Sequence, residues 1–429
     1  MIYTASQLEA IEKSSDFLRS KEMVFRLRGA AGTGKSLISK KILSNLNHGK
    51  VVGLAPTHKA CQQLRKYLGP NIKVYTTDSF LGLQPKRQGA DTITVRSRKY
   101  DPSKFNAIDT VLLDEAFMTG TGHFKFIQED IAEQNRQYIK VGDPYQLAPV
   151  GEDDSPLDTM ELPEHCDATL TETHRFGGAI LEVATNIRNA IQKKDWGKYP
   201  LETIESEGKG VYILGKTEWG DKVKELVKDP QYAKDPDFLK VMAYTNDAVI
   251  DYENRVAAQI GRSSDEPFKP GDRVVVNEAL SQNDELVLCT GEDLVIKSAR
   301  QEAHDVFPSI IGWRLEVQRG NSEVVTVVAL DQTVSREAWK WTLEELNREA
   351  QVSGNWYKYY ALKDYYADIR KGTSLTIHKM QGSQATNVAL DYGNIFRGCG
   401  KKDFNWGMAD RLLYTAITRA TDNVYILMN

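Results

Sequence analysis

The sequence predicts an α/β protein with two domains, each built on a parallel sheet flanked by helices. Short aliphatic and β-branched runs alternate with helical patterns up to about residue 190, as in "MVFRL", "VVGLA", "TVLLD" and "QYIKVG". The alternation begins again at "FLKVMAY" and ends in "LLYTAITRATDNVYILM". Alternating strands and helices are typical of parallel sheets with crossover helices, whose ligands bind at the carboxyl ends of the strands.

A stretch of different character interrupts the second of these regions. From about residue 268 to 332, short strands with turn signals recur at about ten-residue intervals, which predicts a small β-barrel. Two helical segments follow, and their aromatic stripes fit packing better than a platform for nucleic-acid bases. The predicted first domain is 1–83 with 105–190, the second is 191–267 with 373–429, and the insertions are 84–104 and 268–372.

Composition limits the classes of protein to which the chain can belong. It has 429 residues, 41% of them hydrophobic, which is enough for more than one core. No apolar run approaches the roughly 18 residues that span a bilayer, and the start lacks a signal-peptide pattern, so we expect a cytoplasmic protein with no membrane partner. The cysteines lie more than a hundred residues apart, without a zinc or redox motif. The net charge of −4 means that nucleic acid would need a local basic surface.

A phosphate-binding loop is the clearest motif. In "RGAAGTGKS", residues 28–36, two glycines bracket four residues and a lysine and serine follow. Glycines let backbone N–H groups approach phosphates, the lysine reaches the outer phosphates, and the hydroxyl binds Mg²⁺. A glycine-rich turn is the alternative, but it would tolerate any polar residue in the last two positions. The sequence therefore predicts that a nucleoside triphosphate and Mg²⁺ bind Gly29, Ala31, Gly32, Thr33, Gly34, Lys35 and Ser36.

Two later strand ends carry groups suited to hydrolysis. "TVLLDEAFM" places Asp114 and Glu115 after a buried strand, where the first carboxylate can hold Mg²⁺ and the second can polarise an attacking water. "VGDPYQLAPV" places Gln146 after an Asp-Pro turn, and its amide can hydrogen-bond both the γ-phosphate and the water. Taken alone, the first motif could be an ordinary acidic pair at a strand end and the second an ordinary turn. Together with the loop, they predict an active site.

Taken in order, the motifs resemble those of the superfamily 1B DNA helicases, in particular the RecD-type, phage Dda-like group. In "TASQLEAIE" the resemblance implies that Gln7 contacts adenine. "LTETHRF" and "LLYTAITRA" resemble the blocks that supply arginines to the γ-phosphate, here Arg175 and Arg419. The resemblance covers nearly the whole chain. It implies two RecA-like P-loop domains, ATP as the nucleotide, and Lys35, Asp114, Glu115 and Gln146 as catalytic residues.

Other blocks resemble contacts to single-stranded DNA. "APTHKAC" carries Thr57 and His58 in the first domain, and "LTIHKMQGSQ" carries Thr376 and His378 in the second. An arginine finger on a separate domain completes the γ-phosphate site only when the two domains close, so closure depends on ATP. If each domain also binds the same DNA strand, each cycle of closing and opening would move the protein along that strand. The same second block is expected to turn two residues toward the nucleotide, namely Gln381 and Gly382.

The loop "TTDS" departs from the family pattern. Relatives often have a histidine where this chain has Asp78, and an acid beside a phosphate is electrostatically unfavourable. We therefore assign the DNA contact of this loop to Ser79.

Residues 84–104 predict a β-hairpin inserted in the first domain. They contain six basic and two acidic residues, and the run "TITVR" alternates after a Gly-Ala-Asp turn. In the family that the chain resembles, such a hairpin separates the strands at a fork. A solvated basic loop is the alternative.

We therefore predict a monomeric, ATP-dependent DNA helicase that moves on single-stranded DNA and opens a duplex fork. The resemblance alone implies 5′ to 3′ polarity, single-strand-binding or replication proteins as partners, and a bacterial or phage-infected host cell with a role in replication, recombination or repair. A translocase or an ATP-switched DNA-binding protein without processive unwinding would share every nucleotide residue. A small-molecule kinase would share the phosphate loop but has no use for "LTIHKMQG".

Overall fold

The structure is a computed structural model of the chain. It describes residues 3–44, 46, 48–88, 91–97, 100–149, 151–172, 178–235, 237–261, 268–282, 285–288, 290–319, 323–400 and 404–428. No helix in this described part is long and apolar enough to cross a membrane.

The amino-terminal region forms the first sheet and the predicted hairpin. Its elements are α1 Ala5–Arg19, β1 Val24–Gly29, α2 Lys35–Leu43, β2 Val51–Ala55, α3 His58–Leu68, β3 Lys73–Thr76, α4 Thr77–Leu81, β4 Leu83–Gln88, β5 Asp91–Arg96, β6 Thr110–Leu113, α5 Thr121–Gln134, β7 Gln137–Gly142, α6 Pro156–Thr159 and β8 Asp167–Leu170. The sheet order is β3-β2-β6-β7-β1-β8, and all neighbours are parallel. Because β6, β7 and β1 are adjacent, their carboxyl ends bring the three predicted nucleotide motifs to one edge.

Both faces of this sheet are buried, which explains why its strands read as continuous apolar runs. Leu112 and Ile139 pack in a core with α1, α2 and α3. Their neighbours Val111 and Tyr138 point the other way, into a core with α4 and α5. The sheet is therefore a rigid base for the loops at its edge.

The rest of the chain forms a second sheet and an insertion. In chain order the elements are α7 Ala179–Lys193, β9 Ile204–Ser206, β10 Lys209–Leu214, α8 Lys216–Lys228, α9 Pro230–Lys234, β11 Leu239–Ala243, α10 Asn246–Gln259, β12 Arg273–Val276, β13 Leu280–Gln282, β14 Glu285–Leu288, β15 Asp293–Ala303, β16 Ile311–Gln318, β17 Val324–Leu330, α11 Arg336–Ser353, α12 Tyr357–Lys363, β18 Tyr366–Ala367, β19 Ile369–Lys371, β20 Ser374–Thr376, α13 Ile377–Met380, β21 Ala385–Asp391, α14 Tyr392–Gly398, α15 Trp406–Ile417 and β22 Ala420–Leu427.

The second sheet has the order β20-β11-β21-β22-β10-β9, parallel except for β9 at its edge. Residues 179–190, which the sequence places in the first domain, form most of α7. Ile180, Val183 and Ile187 on that helix pack in the core of the second sheet together with α15. By its packing α7 therefore belongs with the second sheet, because its apolar stripe is covered there. The remaining domain boundaries stay predictions.

The insertion forms a third sheet of order β18-β17-β16-β15-β12-β19, antiparallel except between β17 and β18. Its strands bury their own core, which includes Leu294, Trp313 and Val327. The helices α11 and α12 cover one side, where Leu346 and Leu362 pack against Leu330. The aromatic residues in these helices contribute to this packing, as the sequence indicates.

The predicted hairpin in the first region is confirmed. Strands β4 and β5 pair antiparallel from Leu83 opposite Arg96 to Gln88 opposite Asp91. At its base, the Ser97 N–H donates to the Gly82 carbonyl over 2.7 Å. The hairpin is thus a two-stranded ribbon that leaves the first sheet after α4.

The base of the hairpin is fixed to α5 through Arg96. Its guanidinium lies 3.3 Å from a Glu129 carboxylate oxygen. It also lies over the rings of Tyr100 and Phe126, with centroid distances of 5.6 and 5.5 Å. The orientation of the ribbon is therefore set by the first sheet.

Candidate nucleotide and nucleic-acid site

The phosphate loop joins β1 to α2, and its glycines are required by the backbone. Gly32 and Gly34 have φ angles of 83° and 89°, in the left-handed region that favours glycine. A Cβ on Gly29 would lie 2.5 Å from the Thr33 hydroxyl, and one on Gly34 would lie 2.8 Å from the Gln7 amide nitrogen. The loop is consequently a close-packed cradle.

Lys35 lies across this loop. Its Nζ donates to the Gly29 carbonyl over 2.7 Å and to the Ala30 carbonyl over 3.1 Å. Thr33 is buried, and its hydroxyl donates to the same Ala30 carbonyl over 2.9 Å. Both acceptors of these Lys35 bonds are neutral carbonyls. The amine can therefore exchange these carbonyls for the charged oxygens of a phosphate.

The two carboxylates lie beside the lysine, after β6. Glu115 has a φ of 49°, unusual for a residue other than glycine and a form of strain found at functional sites. Burial and the neighbouring Glu115 charge raise the pKa of Asp114 to about 7, while Lys35 opposes the rise. Such a pair of carboxylates favours a bound cation. The oxygen atoms of Ser36 and Asp114 are the ligand type that Mg²⁺ prefers, so the residues fit the predicted ion.

Gln146 has a free acceptor at this site. Its Nε2 donates to Asp143 Oδ2 over 3.1 Å. Its Oε1 is buried without a hydrogen-bond partner in the described residues. A buried acceptor of this kind normally has a partner, so it is suited to receive one from a bound water or phosphate.

One cleft of about 280 Å³ collects residues of both sheets. From the first sheet come the loop, the carboxylates and Gln146. From the second come Gly382 and Arg419, together with Ser383 and Gln384, which the sequence analysis did not single out. The structure therefore brings these predicted nucleotide residues of both regions to the same place.

Arg419 is buried and lines this cleft. Its guanidinium donates to the Thr415 carbonyl over 3.2 Å and to the Ser383 carbonyl over 3.4 Å. Near it, a Cβ on Gly382 would lie 3.2 Å from that of Ala60, so the two sheets approach closely there. Gln381 is buried, and its amide donates across to the Leu147 carbonyl over 3.5 Å.

Arg411 is a further contact between the sheets that sequence reasoning missed. From α15 it donates to the Gln146 carbonyl over 3.0 Å and to Asp154 over 3.0 Å. Its closeness to "LLYTAITRA" was the available signal, since that block supplies Arg419.

Gln7 lies behind the loop rather than in the cleft lining. Its Nε2 donates to the Thr33 carbonyl over 3.1 Å, and its Oε1 accepts from the Thr4 N–H over 3.1 Å. Glu172, which was not singled out, accepts from the Thr4 and Ser6 hydroxyls, and bonds of this kind lower its pKa to about 2. The start of α1 is thus tied to the block that precedes Arg175. Arg175 itself lies outside the described residues.

The predicted strand contacts lie at helix starts on the two sheets. Thr57 caps α3, and its hydroxyl accepts the Ala60 N–H over 3.2 Å. Thr376 caps α13 and accepts the Lys379 N–H over 3.4 Å. Next to Thr57, Lys59 Nζ lies 3.5 Å from the Asp237 carboxylate, so the start of α3 meets the second region.

The histidines beside these threonines are half-buried. Desolvation lowers the pKa of His58 and of His378, so both rings are neutral at pH 7. The His378 ring lies 5.8 Å from that of Tyr244. Neutral rings offer hydrogen bonds and stacking rather than charge to a strand.

A lysine braces the turn that carries Thr376 and His378. Lys379 Nζ donates to the Asn277 backbone carbonyl over 2.9 Å and to the Asn277 side-chain oxygen. Asn277, just after β12, in turn donates through its backbone N–H to the Asp368 carbonyl over 2.7 Å. The insertion is thereby bonded directly to this turn.

Ser79 is exposed, and its neighbour Asp78 is paired. Asp78 Oδ1 lies 2.9 Å from His123 Nε2 on α5. The hydrogen bond to Asp78 raises the pKa of His123. A protonated His123 offsets the acid charge that the sequence placed beside a predicted phosphate contact.

We expect Asp78→Ala to lower the His123 pKa toward the ordinary value of about 6.5. The pKa of His123 is higher in the folded protein than in the unfolded chain. The pair with Asp78 therefore stabilises the fold at pH values below about 6.5, and this stabilisation is lost as the pH rises through the pKa of the folded state. An NMR titration of the ring protons measures the change. His58 serves as the control, and a His123 pKa that stays raised in the variant would show that another group causes the shift.

Two family models match the chain. The AAA domain matches residues 2–205, and the UvrD-like helicase C-terminal domain matches residues 371–427. The first range holds the phosphate loop, the carboxylates and Gln146, and the second holds Thr376 through Arg419. These matches support a helicase, with an AAA domain in the first region and a UvrD-like helicase C-terminal domain in the second. They do not distinguish the RecD-type, Dda-like group.

The chain is similar to a viral protein in sequence and to several solved structures in fold. An uncharacterized protein of Acanthamoeba polyphaga mimivirus is 22% identical over 512 residues, covering 99% of each chain. A Bacteroides Pif1 helicase solved with ADP-AlF3 and single-stranded DNA is 15% identical to this chain. The match covers 99% of this chain and 92% of the helicase chain, with a TM-score of 0.51. The Candida albicans Pif1 helicase is 16% identical with coverage of 100% and 96% and a TM-score of 0.50. These structures share the RecA-like α/β fold with this chain.

Proposed function

We propose that the chain is an ATP-dependent DNA helicase that moves along single-stranded DNA and opens a duplex fork. The observation that carries this proposal is the single cleft lined from both sheets, with the phosphate loop on one side and Arg419 on the other. A triphosphate in that cleft would contact both sheets, so hydrolysis and release would change their relative position. The similar Bacteroides structure, with ADP-AlF3 and single-stranded DNA, agrees with this pairing of ligands.

Each residue has a role that its position supports. Lys35 neutralises phosphate charge, Ser36 and Asp114 hold Mg²⁺, and Glu115 takes the proton of the attacking water. When bound, Mg²⁺ would neutralise charge on the phosphate oxygens. Gln146 orients the water through its free Oε1. Arg419, and Arg175 by resemblance, would stabilise the charge that develops on the γ-phosphate. Gln7 remains a proposed adenine contact.

Strand movement would follow from the two helix starts. Thr57 and His58 hold the strand on the first sheet, with Ser79 beside them, and Thr376 and His378 hold it on the second. Closing the cleft would shorten the distance between these grips, and opening it would restore the distance one step along. We also propose 5′ to 3′ polarity, the RecD-type and Dda-like group, a monomer, and action in the cytoplasm with single-strand-binding or replication proteins.

A tailed-duplex assay tests this function. We expect ATPase activity that single-stranded DNA stimulates, and strand displacement on a duplex with a 5′ tail but not on one with a 3′ tail. Displacement of streptavidin from a biotinylated strand without duplex opening would indicate a translocase. Strand affinity that depends on ATP without either displacement would indicate a switch protein. Displacement on the 3′ tail alone would reverse the polarity.

The hairpin is the proposed pin that divides the strands. We expect that replacing residues 86–94 by a short Gly-Ser turn, with Arg96 retained, abolishes unwinding and leaves strand-stimulated ATPase and streptavidin displacement intact. The reason is that the cleft residues and the strand grips all lie outside the ribbon, whose base Arg96 fixes on α5. The three activities are measured on one preparation.

Lys86→Ala, which removes an exposed charge but keeps the ribbon, is the matched control and is expected to unwind. A basic loop that merely holds phosphate would behave differently: shortening it would weaken strand affinity and flatten its salt dependence. Unwinding that survives the deletion would place the pin elsewhere.

A further inference from the structure

Tyr414 on α15 joins the two sheets through its hydroxyl. Its Oη accepts the Ala31 N–H of the phosphate loop over 3.2 Å. The same oxygen donates to Asp143 Oδ2, at the end of β7, over 3.1 Å. The side chain is 2% exposed, and burial raises its pKa, so the phenol keeps its proton and remains a donor.

Asp143 passes this contact on to Gln146. Its Oδ2 also accepts from Gln146 Nε2 over 3.1 Å, and its Oδ1 accepts the Tyr145 N–H over 3.0 Å. The chain of bonds therefore runs from the phenol through a buried carboxylate to the amide whose Oε1 is free at the cleft. Because the Gln146 amide is planar, the bond from its Nε2 to Asp143 also fixes the direction of its Oε1.

The helix that supplies Tyr414 also leads to Arg419. Arg411, on the same helix, donates to the Gln146 carbonyl. α15 therefore holds the backbone of Gln146 directly and its side chain through Asp143, while Arg419 follows two residues after the end of the helix. Packing alone would need the aromatic ring of Tyr414 but not a hydroxyl shared by two sheets.

We propose that Tyr414 is a positioning residue for ATP hydrolysis: its hydroxyl orients Gln146 through Asp143 when α15 is docked on the phosphate loop. This inference rests on the proposed function. The Gln146 amide would be oriented correctly for the attacking water only when α15 is docked, and the same docking brings Arg419 to the cleft. Hydrolysis is thereby limited to the docked arrangement of the two sheets.

Tyr414→Phe tests the role of the hydroxyl. We expect kcat for ATP to fall by about 10- to 100-fold, as when a catalytic group is misplaced, while KM and single-strand affinity stay close to wild type. Tyr199→Phe is the matched control, because the Tyr199 hydroxyl donates to Asp410 on the same helix over 2.7 Å, away from the loop. Its kcat is expected to be that of the wild type. Equal losses in both variants, or none in Tyr414→Phe, would overturn the inference.

A double variant shows whether the hydroxyl acts through Gln146. Adding Tyr414→Phe to Gln146→Ala is expected to slow hydrolysis no further, because the residue it positions is gone. Independent, multiplying losses would overturn the proposal. If thermal unfolding shows that Tyr414→Phe does not fold, Asp143→Asn decides instead, with the same expected loss of kcat at unchanged KM. A wild-type chain without ATPase activity would refute the proposed function itself, whereas an active wild type with an unaffected variant refutes only this inference.

Discussion

Glu115→Gln is expected to bind ATP like the wild type while turnover falls by about 10²- to 10⁴-fold, the usual contribution of a general base. The glutamine keeps the shape of the side chain but cannot take a proton from water. The Glu115 charge also helps to raise the pKa of Asp114, so its removal favours the ionised form of Asp114, the form that would hold Mg²⁺. Steady-state turnover and the affinity of a fluorescent ATP analogue measure the two effects separately.

Lys35→Ala provides the contrast for this prediction. It removes the amine that lies across the loop carbonyls, so both nucleotide affinity and turnover are expected to fall. If the Glu115→Gln variant hydrolyses ATP at nearly the wild-type rate, the general base must be another residue.

Arg419→Ala is expected to lower turnover by about 10³- to 10⁵-fold, the range found for arginine fingers, with a much smaller loss of nucleotide affinity. A finger acts chiefly on charge that develops in the transition state, so the ground-state complex hardly needs it. Turnover and nucleotide binding are compared as for Glu115→Gln, and strand affinity without nucleotide is followed by fluorescence anisotropy.

Arg419→Lys keeps the charge but not the planar fork of donors, so it separates these two properties and is expected to remain slow. Equal losses of turnover and nucleotide affinity would make Arg419 a binding residue. Loss of strand affinity in the absence of nucleotide would show that it contacts DNA.

The nucleotide motifs could be predicted because each is local. Gly34 needs a left-handed backbone, and the residue types at Asp114, Glu115 and Gln146 match a strand end within a few residues of sequence. The hairpin was predictable for the same reason, since alternation and a tight turn are properties of one short segment. In these cases the physical cause and the sequence signal occupy the same stretch of chain.

The parts that the sequence could not give depend on contacts between distant segments. Tyr414 and Asp143 are 271 residues apart, and no pattern near either one indicates the other. The stripe on α7 shows that one face is apolar, but not that the second sheet covers it. Likewise, the family resemblance implies that Gln7 contacts the nucleotide, whereas its buried bond to Thr33 exists only once α1 packs behind the loop.

The bond between Lys379 and Asn277 ties the insertion to the turn that follows β20 of the second sheet, so the insertion is more than an accessory module. Desolvation lowers the pKa of the Lys379 ammonium, and the ammonium is compensated by two oxygens that belong to the insertion. Excising 268–372 would leave this ammonium without those acceptors, on the turn that presents Thr376 and His378. An insertion exchanged between similar proteins would therefore have to supply acceptors for Lys379 at the position of Asn277, so this pair marks where the graft and its host must match.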